Sequence, residues 1–305
     1  KIREEFSNVS ENVSVFANKA SEKIKEGMGV KTKTLNRLGF TYPETVGLNS
    51  KKLAWIDTVC NVAIREKATP GCQVIVAKEG KIVFQKNYGH YTYDKIKKVD
   101  DNTIYDIASI TKVGATLHYV MKLVDEGKIE INQKASFYLK ELEGTNKEYL
   151  TIKQILSHQA GLTPYIPHWR KTLDKKKQLS PNFYSKFKDD SLFTNYVCTD
   201  LYCLTSSRDS LWMWTIDSEL REPINLPIKK RKRKKFKINE YDFDYKYSDL
   251  GFYIMRELAE RVGGEQIQEY VRNNFYSKLG AETLGYLPLD RFDVEQITPT
   301  ENDIF

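Results

Sequence analysis

The chain has 305 residues, 40% of them hydrophobic and 12% aromatic, which is enough for one large domain or two smaller ones with substantial cores. No stretch approaches the uninterrupted apolar length of a membrane span, so no transmembrane segment is expected. Of the net charge of +7, eight positive charges lie in Lys229-Lys230-Arg231-Lys232-Arg233-Lys234-Lys235-Phe236-Lys237, so the rest of the chain is close to neutral.

That run has one aromatic residue and no accompanying nucleic-acid fold signature; it reads as a solvated loop, and no nucleic-acid partner is expected. Cys60, Cys72, Cys198 and Cys203 form no CxxC pair and there are only four histidines, so neither a metal site nor a cofactor is expected. Cys198 and Cys203 can pair in an oxidising compartment, and their spacing leaves the question open.

In chain order, residues 1–47 read as a linker or the tail of an upstream module. A weak helical stripe (Val9, Val13, Phe16, Ala20, Ile24) is broken by Gly27, Gly29 and Tyr42-Pro43. Ser50 is the expected cap of a helix that turns Leu53, Ile56, Cys60, Ala63 and Ile64 inward and stops before Pro70-Gly71. Cys72 to Ala77 and Lys81 to Lys86 read as two strands joined by Lys78-Glu79-Gly80. A helix, a hairpin and then a helical region predict an α+β layout: helices on an antiparallel sheet, with a helical subdomain.

Ser109-Ile110-Thr111-Lys112 heads the next amphipathic segment, in which Val113, Leu117, Val120, Met121 and Val124 recur at helical spacing up to Gly127. Residues i and i+3 share a helix face, which sets the Ser109 hydroxyl beside the Lys112 ammonium. A serine needs a base to become a nucleophile, and a lysine can serve once burial or neighbouring charge lowers its pKa. The plainer reading of the tetrad alone is a serine N-cap and a solvated lysine.

Thr151 is the expected cap of a short helix through Ile152, Ile155 and Leu156 that leads into Ser157-His158-Gln159-Ala160-Gly161-Leu162. His158 can be a base or a residue that positions its loop, and nothing in the sequence gives it an acidic partner. Residues 164–245, with Trp169, Trp212, Trp214 and the basic run, carry few periodic segments and read as an insertion that lids or lines a cleft. Tyr247-Ser248-Asp249-Leu250-Gly251 opens a helix with Leu250, Ile254, Leu258 and Val262 on one face, closed by Gly263-Gly264; Gln266 to Phe275 follows with Ile267, Tyr270 and Val271 inward.

These pieces agree in order and kind with one family. The opening hairpin (Thr69-Pro70-Gly71-Cys72-Gln73-Val74 with Lys81-Ile82-Val83-Phe84), Ile107-Ala108-Ser109-Ile110-Thr111-Lys112, Ile155 to Leu162 and Tyr247-Ser248-Asp249-Leu250-Gly251 together resemble the serine β-lactamase and penicillin-binding-protein superfamily. The resemblance is strongest to the branch of class C β-lactamases, D-alanyl-D-alanine carboxypeptidases and related esterases, and it covers about residues 50 to 300. It implies a β-lactamase/transpeptidase-like fold over residues 48–305 and a serine acyl hydrolase acting on an ester, peptide or β-lactam carbonyl. In it Ser109 would be acylated, Lys112 would polarise the site and take part in proton removal, and Tyr247 would be general base and acid. Asp249 and His158 would line the substrate.

Two departures bear on activity. Asp249 stands where the family usually has a neutral Asn, and a carboxylate favours a charged Lys112. After Tyr247 the sequence contains neither a Lys-Thr-Gly nor a His-x-Gly triplet, which the family places on a strand lining the site. With a start that lacks methionine, this leads us to expect a fragment truncated at the C-terminus and inactive alone. The alternative function is a non-catalytic, penicillin-binding-like interaction module. The linker-like start and Ile297-Thr298-Pro299-Thr300-Glu301 also resemble a subgroup in which the hydrolase follows a family-three glycoside hydrolase domain in one polypeptide. That would imply peptidoglycan-derived substrates and an extracytoplasmic or periplasmic location in the bacterial envelope.

Overall fold

In the hairpin, β-branched and aromatic residues meet a two-residue turn that demands positive φ, and the chain folds accordingly. The computed structural model describes residues 38–198, 200–223 and 243–300; the stripe from Val9 to Ile24 and the basic run Lys229 to Lys237 lie outside them. The described chain divides into two compact units.

In the first unit, β1 (Gly39–Phe40), a helix α1 (Trp55–Arg65), β2 (Gly71–Lys78) and β3 (Lys81–Gly89) make a three-stranded sheet of order β1-β3-β2 with α1 packed on it. β2 and β3 are antiparallel, while the two-residue β1 runs parallel to β3, so the sheet is mixed at that edge. The turn residues Glu79 and Gly80 have φ of +53° and +70°, the left-handed pair a tight hairpin needs to match the strands' twist. On the face of α1 toward the sheet, Asp57 accepts hydrogen bonds from Lys86 Nζ at 2.6 Å and the Tyr88 hydroxyl at 2.7 Å. The expected helix is split: a short helix over Ser50–Leu53, whose cap Asn49 accepts from the Lys52 N–H at 3.0 Å, precedes α1, whose own N-cap, Ala54, makes no side-chain hydrogen bond, and the Ser50 hydroxyl donates to Glu44. Residue 50 is already inside the first turn, where an oxygen cannot reach the orphan N–H groups. A later segment closes on this unit through a parallel bridge between Ile104 and Ile297.

The second unit is mostly helical. Its core is Tyr119, Leu123, Leu139, Leu142, Leu150, Ile152, Ile155, Leu250, Ile254, Met255 and Leu258, all under 2% exposed. A π-helical turn (Lys112–Leu117) runs into α2 (His118–Asp125). The extra residue of the wide turn shifts the phase of the stripe. Ala115, Tyr119, Val120 and Leu123 are buried, whereas Val113 and Met121, expected inside, are 51% and 57% exposed. The Thr151 cap is a full capping box with Gln154 at the head of α3 (Ile152–Leu156). A second three-stranded sheet joins β4 (Tyr184–Ser185), β5 (Asn195–Cys198) and β6 (Leu201–Cys203) in the order β4-β6-β5, followed by α4 (Ser207–Ile216). Cys198 and Cys203 are free thiols, as are Cys60 and Cys72.

The central helix α5 (Leu250–Gly263) contacts α2, α3 and α4. Gly251 permits that approach: a Cβ there would lie 3.1 Å from Ile155 Cγ2. At the other end a Cβ on Gly263 would overlap the buried Tyr119 ring. α6 (Ile267–Val271) covers α2, with Tyr270 stacked on Tyr119 at 3.5 Å between ring centroids.

Candidate active site

Ser109 sits at a sharp entry into its helix. The Asp106 carboxylate accepts the Ala108 N–H at 2.7 Å, and Ala108 takes φ of +43°, a conformation that a non-glycine residue adopts at a cost. Three consecutive turns follow, from Ile110, Thr111 and Lys112 N–H to the carbonyls three residues earlier. Ser109 is thereby left exposed at the head of the helix. Asp106 escapes a motif-based reading, although an aspartate two residues before a strained small residue is a legible turn signal.

Lys112 Nζ donates to Ser109 Oγ at 2.9 Å. The same ammonium lies 2.6 Å from Asp249 Oδ1 and 5.0 Å from the centroid of the Tyr247 ring. Four of the five residues singled out from the sequence are thus joined through one nitrogen or its contacts. Burial pushes the Lys112 pKa down, but hydrogen bonds and charge from Asp249 and Tyr247 outweigh it, and the net direction is up. In this ground state Lys112 is an ammonium ion: it polarises the serine oxygen and cannot itself accept the serine proton.

The fifth residue, His158, reaches the cluster from the loop after α3. It has φ of +59°, and its ring lies 4.6 Å from that of Tyr247. Its Nδ1 accepts the Ser248 N–H at 3.1 Å, and its carbonyl accepts the Lys246 N–H at 2.9 Å. Burial, and then the charge of Lys112, push its pKa down. A neutral imidazole with Nδ1 engaged by backbone is built to hold Tyr247 in place. Ser248, 2% exposed, donates to the Thr163 carbonyl at 2.7 Å, and the Asp249 N–H bonds the Pro164 carbonyl at 2.9 Å. The loop from His158 to Pro164 and the segment from Lys246 to Asp249 are therefore laced together. Tyr247, 41% exposed, faces outward from that anchor, beside the ammonium.

The sequence profile of the β-lactamase family matches residues 46–197, about half the chain. The chain belongs to the β-lactamase family. A curated Salmonella gallinarum protein, provisionally named a D-alanyl-D-alanine carboxypeptidase, is 27% identical over 273 residues, covering 85% of this chain and 53% of its own length. The chain therefore spans about half the length of the curated relatives it matches. Among solved structures, a class C β-lactamase in complex with cefoxitin superposes with a TM-score of 0.54 at 18% identity, covering 82% of this chain and 55% of the other. EstCE1, a hydrolase with promiscuous acyltransferase activity, gives a TM-score of 0.53 at 17% identity over 81% and 55% of the two chains. The β-lactamase-family chain accordingly has the α+β, β-lactamase/transpeptidase-like fold. Among its described residues no helix is long and apolar enough to cross a membrane.

Proposed function

We propose that this serine hydrolase of the β-lactamase family works through a Ser109 acyl-enzyme. The observation that carries the reading is the 2.9 Å contact between Lys112 Nζ and Ser109 Oγ, with the Tyr247 ring over the same ammonium. Once the Lys112–Tyr247 pair has lost one proton, Ser109 Oγ bonds to the substrate carbonyl carbon while its own proton passes to that pair; that proton then leaves with the departing amine or alcohol. Water reverses the sequence and frees the acid. The Ser109 backbone N–H supplies one oxyanion donor, a group worth about 2.7–4 kcal/mol of barrier in acyl-transfer enzymes. His158 positions Tyr247, and Asp249 meets substrate and sets the charge of Lys112.

The carboxypeptidase name of the Salmonella relative supports a peptide substrate from the cell wall, and the esterase neighbour supports an ester. We propose a location outside the cytoplasm on the same reasoning, with residues 164–245 as the insertion that tunes selectivity. The test uses the full reading frame that contains this chain. Intact-protein mass after a fluorophosphonate or a fluorescent penicillin should rise by one adduct, absent in Ser109→Ala. An unlabelled protein, or equal labelling of the variant, rejects the proposal.

A second reading, a binding module without turnover, is favoured by the 2.6 Å Lys112–Asp249 pair, which holds the lysine protonated. Ester hydrolysis that disappears in Tyr247→Phe excludes it.

A further inference from the structure

Within the second unit, α4 and α5 are in contact, and a cavity of about 150 Å³ lies between them. Leu211, Trp212 and Thr215 line it from α4, and Tyr253 and Arg256 from α5. Positions three or four apart on a helix share a face, so the wall is one face of each. Its apolar part is held in place: Trp212 Nε1 donates to Glu141 at 3.1 Å, and the Thr215 hydroxyl donates to the Leu211 carbonyl at 2.8 Å. Burial, and then the charge of Asp249, push the Tyr253 pKa up, so its phenol is protonated.

Hydrogen bonding beside this cavity leaves donors over and no acceptors. The Glu257 carboxylate, also in the wall, accepts from Arg208 at 2.8 Å through one oxygen and from Arg261 at 2.9 Å through the other. Glu260, 6% exposed, accepts the Ile267 N–H at 2.9 Å and Arg256 Nε at 3.1 Å on one oxygen and pairs with Arg208 through the other. Arg256 uses only its Nε. Among the described residues its two terminal amino groups have no partner, and its side chain is 37% exposed. The open edge of a planar guanidinium is matched by a carboxylate, which takes two parallel N–H bonds from it. A cavity of roughly 150 Å³ is known to hold a benzene ring, so the space fits one six-membered ring.

We propose that this cavity binds a small aromatic carboxylate, with its ring against Trp212, Tyr253 and Leu211 and its carboxylate on the terminal amino groups of Arg256. The wall contains none of the residues of the Ser109 cluster, and the site does not rest on the acyl-enzyme reading. Equilibrium dialysis with benzoate and with benzamide, its neutral analogue of the same shape, tests it. The native protein should prefer benzoate by about tenfold, the low end for a hydrogen bond to a charged group, because the arginine is partly exposed. Arg256→Met keeps an apolar stem and leaves Glu260 its bonds from Arg208 and Ile267; it should bind both compounds equally. Leu211→Trp, at a side chain 42% exposed, fills the cavity and should abolish binding of both. Ser109→Ala should bind as the native protein does, so that failure here and failure of the serine chemistry are told apart. Native protein that binds neither compound, or binds both equally as expected if water alone meets Arg256, overturns the proposal. So does an undiminished preference in Arg256→Met, or binding that survives Leu211→Trp or is lost in Ser109→Ala.

Discussion

Replacing Asp249 by Asn is the most informative single change at the candidate site. The substitution keeps the size of the side chain and one acceptor oxygen, and removes a negative charge 2.6 Å from Lys112 Nζ. At that separation two unit charges attract by about 1.6 kcal/mol in bulk water and about 6 kcal/mol at an effective dielectric of 20. Both partners are largely screened from solvent, at 15% and 28% side-chain exposure, so the lower figure is a floor. Each 1.36 kcal/mol changes a protonation equilibrium tenfold. The Asp249 carboxylate opposes loss of a proton from Lys112, whose pKa it helps to raise. Asp249→Asn should therefore move the rising limb of the pH–rate profile to lower pH and raise kcat/KM at pH 7 by at least about tenfold. The assay is p-nitrophenyl acetate hydrolysis between pH 5 and 10. An unmoved profile, or a rate lowered at every pH, would refute the claim that Asp249 restrains the lysine.

Three further outcomes follow from the packing. Gly161→Ala should cost about 2–4 kcal/mol, read as a lower urea midpoint, because φ is +71° and the new Cβ would lie 2.4 Å from the Phe243 ring; a cost below about 1 kcal/mol contradicts this. Lys147 is fully buried, its ammonium donating to the carbonyls of Ile216 (2.8 Å) and Ser218 (2.5 Å), and burial pushes its pKa down from 10.5 to about 8. The folded state therefore binds fewer protons than the unfolded chain between those values. The cost of burying the cation is complete below about 8 and is relieved as pH rises toward 10.5. Urea midpoints from pH 7 to 9.5 should rise relative to Lys147→Met, and parallel curves would disprove it. Burial, then a hydrogen bond with Cys60, push Cys72 up to about 11; mass mapping after iodoacetamide at pH 8 should find exposed Cys198 modified well before Cys72, and the reverse order would contradict the packing.

The local features legible in the sequence are those whose cause is local. The hairpin turn within Lys78-Glu79-Gly80 and the Thr151 helix cap are encoded by residues close in sequence, and both formed where expected. The face of the Ser109 helix was misjudged because a π turn between Lys112 and Leu117 adds a residue to one turn. Its cause is not periodic: the helix must present Ser109 and Lys112 at one end while packing Tyr119 against Tyr270 at the other.

The sequence by itself determined the family, through four short motifs in order, because each is a run of neighbours whose chemistry is readable without a fold. Only the tertiary structure decided how those motifs act on one another. Asp249 lies far along the chain from Lys112, and its effect as a nearby countercharge exists only once α5 packs beside the Ser109 helix. His158 was an ambiguous base until its Nδ1 was seen to hold Ser248, and nothing marked Arg256 until packing set it in the wall of a cavity. Electrostatic and hydrogen-bond energies depend on distance and on access of water, and a linear sequence specifies neither until the chain has folded.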